Sequence, residues 1–171
     1  MKMVLFDLGD TLEVVVNNKD ALLPGARETL QAIEKLKDEQ GKPPIIALVT
    51  NFGKLKATPA QMAASRAEIL KILADLKIQG FFEPVAQRVT LSTEAGAEKP
   101  KKKIFLHVIN KVPGLGFPDV MFITENLTHV KAARQLKMQA VHFKGPGQTT
   151  GDVSDLTDLI PLVQNFLSSS S

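Results

Sequence analysis

A carboxylate closes a short apolar run near the amino terminus: Met3-Val4-Leu5-Phe6-Asp7, followed by Leu8-Gly9-Asp10-Thr11-Leu12. Further along, Leu48-Val49 leads into Thr50-Asn51, Lys99-Pro100 precedes a helical pattern, and Ile123-Thr124 leads into Glu125-Asn126, with His129 one turn on. A nucleophilic carboxylate, a hydroxyl, a lysine and a second carboxylate meeting in one crevice are what phosphoryl transfer with a magnesium ion requires. Each has a plainer use as well. Asp7 suits a turn or cap, Thr50 a capping hydroxyl, Lys99 a surface charge and Glu125 the start of a helix.

The elements that must position these residues are legible as alternating patterns. Val4 to Phe6 reads as a strand buried on both faces, and so does Pro44 to Asn51. Val89–Ser92, Val120–Thr124 and Ala140–Phe143 supply three more. Between them lie helical spacings. One opens at Leu23-Pro24-Gly25-Ala26 and stops before Gly41; one opens at Thr58-Pro59; others cover Lys102 to Val112, Leu127 to Met138 and about Asp155 to Leu167. Strands alternating with helices predict an α/β fold, a doubly wound parallel five-stranded sheet flanked by helices. In such a sheet ligands bind beyond the carboxyl ends of the strands, where Asp7, Thr50 and Glu125 fall. Glu13-Val14-Val15-Val16 reads as a short hairpin arm turned by Asn17-Asn18. Gly114-Leu115-Gly116 precedes a strand and opens no helix, so it is a turn rather than a phosphate loop.

Composition narrows the chemistry. The chain has 171 residues and no cysteine, which excludes disulfides, thiolate metal sites and cysteine nucleophiles. Its charge of +3 is the small difference of 21 basic and 18 acidic residues spread along the chain, a weak argument for a nucleic-acid partner. Lys101, Lys102 and Lys103 read as a solvated helix start. No apolar run is long enough to span a bilayer, and no leader-like segment opens the sequence, so the expectation is a cytoplasmic protein without membrane contact. One domain is expected over residues 1–167, with the serine run 168–171 fraying.

In these motifs the chain resembles the haloacid dehalogenase (HAD) superfamily of phosphohydrolases. The resemblance runs from Val4 to about Phe143. It rests on the Asp7 to Leu12 motif, on Leu48-Val49-Thr50-Asn51, on Lys99-Pro100 followed by Ile104-Phe105, and on the acidic turn before Val130-Lys131-Ala132-Ala133. It implies that Asp7 attacks phosphorus to form an aspartyl-phosphate and also ligates Mg²⁺. Thr50 and the backbone N–H of Asn51 would bind phosphoryl oxygens, Lys99 would neutralise the charge, and Glu125 and the Gly9 carbonyl would complete the metal's protein ligands. The substrate is then a phosphorylated compound.

Three positions depart from the family's pattern. Gly9 stands where its phosphatases carry a second aspartate that protonates the leaving group and activates water, a contribution of roughly 10²- to 10⁴-fold. Asp10 and His129 are the candidate substitutes. Glu125 is a methylene longer than the usual aspartate, and His129 replaces another aspartate. The spacings from Leu12 to Ile45 and from Asn51 to Lys99 are filled by core elements, which leaves no room for a cap domain. Such an open site suits large substrates or closure by a second copy, for which Val14-Val15-Val16 is an apolar patch. Two alternatives to a Mg²⁺-dependent phosphohydrolase stay open: a catalytically impaired relative that keeps the fold for binding, and an enzyme for substrates with a good leaving group.

Overall fold

The computed structural model of the chain describes residues 1–169. Its strands are β1 (Met3–Phe6), β2 (Glu13–Val16), β3 (Lys19–Leu22), β4 (Ile45–Thr50), β5 (Val89–Leu91), β6 (Val120–Thr124) and β7 (Gln139–His142). Its helices are α1 (Ala26–Lys35), α2 (Pro59–Asp75), the single turns α3 (Val85–Arg88) and α4 (Ser92–Ala95), then α5 (Lys102–Asn110), α6 (Leu127–Gln135) and α7 (Leu159–Ser168). Five strands form one parallel sheet in the order β5-β4-β1-β6-β7, and β2 and β3 pair antiparallel as a separate hairpin.

The sheet is apolar on both faces because each strand alternates between two cores. Val4 and Phe6 of β1 pack with Ile46, Leu48, Met121 and Ile123 against residues of α1, α2 and α7. Met3 and Leu5 pack with Ala47, Val49, Val120 and Phe122 against α5 and α6. Every residue of β1 is buried. Burying large apolar side chains contributes about 1.5 to 3 kcal/mol each, so β1 is fixed in the middle of the sheet and Asp7 at its carboxyl edge.

Local chemistry sets the element ends. Thr58 caps α2 with a reciprocal pair of bonds: its hydroxyl accepts the Gln61 N–H at 3.2 Å, and its own N–H donates to Gln61 Oε1 at 2.9 Å. The hairpin arm expected at Glu13 to Val16 finds its partner in β3, although Lys19-Asp20-Ala21-Leu22 has no apolar alternation of its own. It follows a turn in which Asn17 and Asn18 both take positive φ, 51° and 59°, the backbone a two-residue hairpin loop needs. The third strand ends one residue earlier than expected. Ser92 instead starts α4, its hydroxyl accepting the Phe52 N–H at 2.9 Å.

The serine run begins at the last residue of α7, and Ser169 follows as its C-cap. Its carbonyl and hydroxyl both accept the Lys2 ammonium, which also bonds the Phe166 carbonyl at 2.6 Å. Ser170 and Ser171 lie outside the described residues. No helix among the described residues is long and apolar enough to cross a membrane.

Candidate active site

Asp7 is the hub of the crevice at the carboxyl end of the sheet. It is only 6% exposed. Its Oδ1 forms an ion pair with the Lys99 ammonium and accepts the Leu8 N–H at 2.8 Å, while Oδ2 accepts the Thr124 hydroxyl at 2.9 Å. A buried carboxylate is tolerated only where such partners replace water.

From the β4 side come the groups suited to an anion. The Thr50 hydroxyl, at the last residue of β4, has no hydrogen-bond partner among the described residues. Asn51 clamps the main chain of Lys99 in both directions: its Oδ1 accepts the Lys99 N–H at 2.8 Å, and its Nδ2 donates to the Lys99 carbonyl at 3.3 Å. The Lys99 ammonium also donates to the Val49 carbonyl at 3.1 Å. Asn51 therefore acts on the site through its side chain, in addition to whatever its N–H binds.

From the β6 side come the groups suited to a cation. Glu125 Oε2 accepts the Thr11 hydroxyl at 2.8 Å and lies 3.2 Å from the Thr124 hydroxyl, which bridges it to Asp7. Thr11 returns the bond by accepting the Glu125 N–H at 3.1 Å. The Glu125 carbonyl accepts from His142 Nε2 and Gln148 Nε2, each at 2.9 Å. Burial first, and then the Asp7 charge, push the Glu125 carboxyl above the usual carboxylate range.

Two buried carboxylates beside one lysine leave surplus negative charge, which a hard dication would neutralise. Among the described residues no group of three or more His, Cys, Asp and Glu side chains is placed to hold a metal. Mg²⁺ needs only one or two carboxylates, because it keeps several waters and takes the rest of its oxygens from substrate phosphate. An all-oxygen pair fits it.

His129 sits against the nucleophile, with Nδ1 4.0 Å from Asp7 Oδ2 and without a hydrogen-bond partner among the described residues. Burial and then the Lys99 charge lower its pKa, with Asp7 opposing, which favours the neutral imidazole. Asp10 stands apart. It is exposed in a positive-φ turn (55°), and no hydrogen bond or ion pair joins its side chain to Asp7 or Lys99 among the described residues. Gly9 lies beside the hairpin, in an isolated bridge with Glu13. The structure thus gathers Asp7, Lys99 and Glu125 into one network with Thr50 and Asn51 alongside, and leaves Asp10 at the rim. The linking hydroxyls of Thr11 and Thr124 were given no role from sequence, since a strand-end threonine is indistinguishable there from a cap.

Glu125 is also wedged from outside by the loop after β7. A Cβ added to Gly145 would stand 2.8 Å from Glu125 Cβ and 3.0 Å from the Asp10 carbonyl oxygen, closer than packed atoms come. A Gly145→Ala protein is expected to lose about 1 to 3 kcal/mol of stability in thermal or denaturant unfolding, because the shift must come from the backbone or from Glu125 itself. Beside Glu125 a polar cleft of about 430 Å³ opens between Asn126, Thr128, His142, Gln148 and Thr150.

The fold is that of the haloacid dehalogenase superfamily hydrolases. A protein from Listeria monocytogenes serotype 4b superposes with a TM-score of 0.70 at 18% identity, covering 97% of this chain and 98% of that one. A candidate β-phosphoglucomutase from Thermotoga maritima gives 0.68 at 12% identity, covering 96% and 99%. A candidate HAD hydrolase from Bacillus subtilis, bound to magnesium, gives 0.59 at 16% identity, covering 83% of this chain and 56% of that one. The sequence matches no protein-family model and no curated protein.

Proposed function

We propose that the protein is a Mg²⁺-dependent phosphohydrolase that works through an aspartyl-phosphate on Asp7, with a site that no cap domain covers. The observation that carries this reading is the buried Asp7–Lys99 ion pair at the carboxyl end of the central strand, with Glu125 tied to the same carboxylate through Thr124. Both charges lie at the end of the sheet where ligands bind.

In this reading Asp7 and Glu125 hold the cation. When bound it supplies positive charge at the phosphoryl oxygens and orients them. Lys99 offsets the repulsion between the Asp7 carboxylate and the incoming anion, a repulsion strengthened by burial. Thr50 donates its unengaged hydroxyl to a phosphoryl oxygen, and Asn51 holds Lys99 in place while it does so. An Asp7 oxygen bonds to phosphorus as the ester oxygen departs, and water then breaks the acyl phosphate to regenerate Asp7. The polar cleft beside Glu125 offers space to the departing group.

The test is release of phosphate from p-nitrophenyl phosphate with and without Mg²⁺. Turnover that rises with Mg²⁺ and is removed by a chelator is the expected result. If a broad panel of phosphate esters gives no turnover and Mg²⁺ leaves the melting temperature unchanged, the reading fails and the fold serves binding instead.

A further inference from the structure

A departing alkoxide needs a proton, and position 9 has no side chain to give one. His129 Nδ1 lies 4.0 Å from Asp7 Oδ2, beside the attacking carboxylate, whereas a leaving group in line with the attack departs on the far side of phosphorus. Asp10 is exposed, and its N–H donates to the Glu13 carbonyl at 2.7 Å.

Glu13 is different. It is 7% exposed, and its Oε1 is buried without a hydrogen-bond partner among the described residues. Its Oε2 stands 3.9 Å from the point a Cβ on Gly9 would occupy, and apart from the chain neighbours Leu8 and Asp10 no other described atom comes within 4 Å of that point. The Glu13 N–H donates to the Leu8 carbonyl at 3.1 Å, so the residue is pinned to the turn that follows Asp7. A buried carboxyl oxygen left without a partner costs stability, and such groups persist where a function uses them.

We propose that Glu13 is the general acid and base of this site, its carboxyl occupying from the first hairpin strand the space that a side chain at Gly9 would fill. This rests on the reading of Asp7 as the nucleophile. In the first half-reaction the Asp7–phosphorus bond forms, the phosphorus–ester oxygen bond breaks, and the Glu13 proton passes to that oxygen. In the second, the Glu13 carboxylate takes a proton from water, the water oxygen bonds to phosphorus, and the bond to Asp7 breaks, releasing phosphate.

The experiment compares wild type, Glu13→Gln and Gly9→Asp/Glu13→Gln on p-nitrophenyl phosphate and on an alkyl phosphate. Nitrophenolate needs little protonation to leave, so Glu13→Gln should release it in a burst equal to the enzyme present. It should then stall at a steady rate roughly 10²- to 10⁴-fold below wild type, with phosphate retained on Asp7. Turnover of the alkyl ester should fall by at least as much. The second variant should regain turnover of both, a rescue that a purely structural glutamate would not show.

Steady turnover by Glu13→Gln within about threefold of wild type, without a burst, overturns the proposal and leaves the phosphohydrolase reading standing. So does a slow but folded Glu13→Gln that Gly9→Asp fails to rescue. If wild type itself neither releases nitrophenolate nor carries phosphate on Asp7, both fall together.

Discussion

An Asp7→Asn protein is expected to release no phosphate from p-nitrophenyl phosphate above background, a loss of at least about a thousandfold, because the amide cannot form the acyl phosphate. Asparagine has the same shape and can keep the bonds to the Leu8 N–H and the Thr124 hydroxyl. The loss is therefore chemical rather than structural. What asparagine cannot keep is the charge facing Lys99, so some stability goes with the activity. Phosphate assays and thermal unfolding on the same preparation separate the two, since a folded but inert protein is the predicted combination. A folded Asp7→Asn protein that turns over at the wild-type rate would remove the nucleophile from the proposed mechanism.

Lys99→Met is expected to have the largest effect on stability. The ammonium is one half of a buried ion pair, with side chains 2% and 8% exposed for Lys99 and Asp7. Breaking such a pair by removing one partner costs about 3 to 5 kcal/mol, because the remaining charge stays buried and unpaired. Here the cost is compounded: without Lys99, Asp7 and Glu125 face each other across Thr124 with no cation between them. For a chain of this size the melting temperature should fall by roughly 6 to 20 °C. Added Mg²⁺ should restore part of that fall if the carboxylate pair binds it, which gives a readout of metal binding independent of turnover. A Lys99→Met protein as stable as wild type would mean that the pair is not buried in solution.

Much of this architecture was legible because the local and global signals agree. The unbroken apolar run before Asp7 can be satisfied only between two layers, and β1 is buried throughout. Thr58-Pro59 carries its own capping chemistry, and α2 begins there. Less legible is what depends on neighbours. β3 is a strand because β2 is opposite it, not because Lys19-Asp20-Ala21-Leu22 favours one. Ser92 leaves the strand because a backbone N–H from the loop after β4 reaches its hydroxyl.

The site divides in the same way. Asp7, Lys99 and Glu125 stand where strand ends and helix starts could be located by pattern, and their charges draw attention. Glu13 looked like one polar residue in a β-branched run. Its burial comes from the hairpin folding back over the turn, an arrangement no spacing along the chain encodes. The hydroxyls of Thr11 and Thr124 matter only because Glu125 reaches back across 114 residues to meet Thr11.

Because β1 runs between β4 and β6, the nucleophile sits on a seam with a different trade on each flank. Besides Asp7, the groups that would grip the phosphate arrive from the β4 side, and the carboxylate that would share the metal with it, Glu125, from the β6 side. The unusual residues, Gly9, Glu125 and His129, belong to the turn after β1 and to the β6 flank, while Thr50 and Lys99 opposite keep the expected types. The central strand works as a partition wall, and Asp7 at its end meets both flanks, paired with Lys99 on one and bonded to Thr124 on the other.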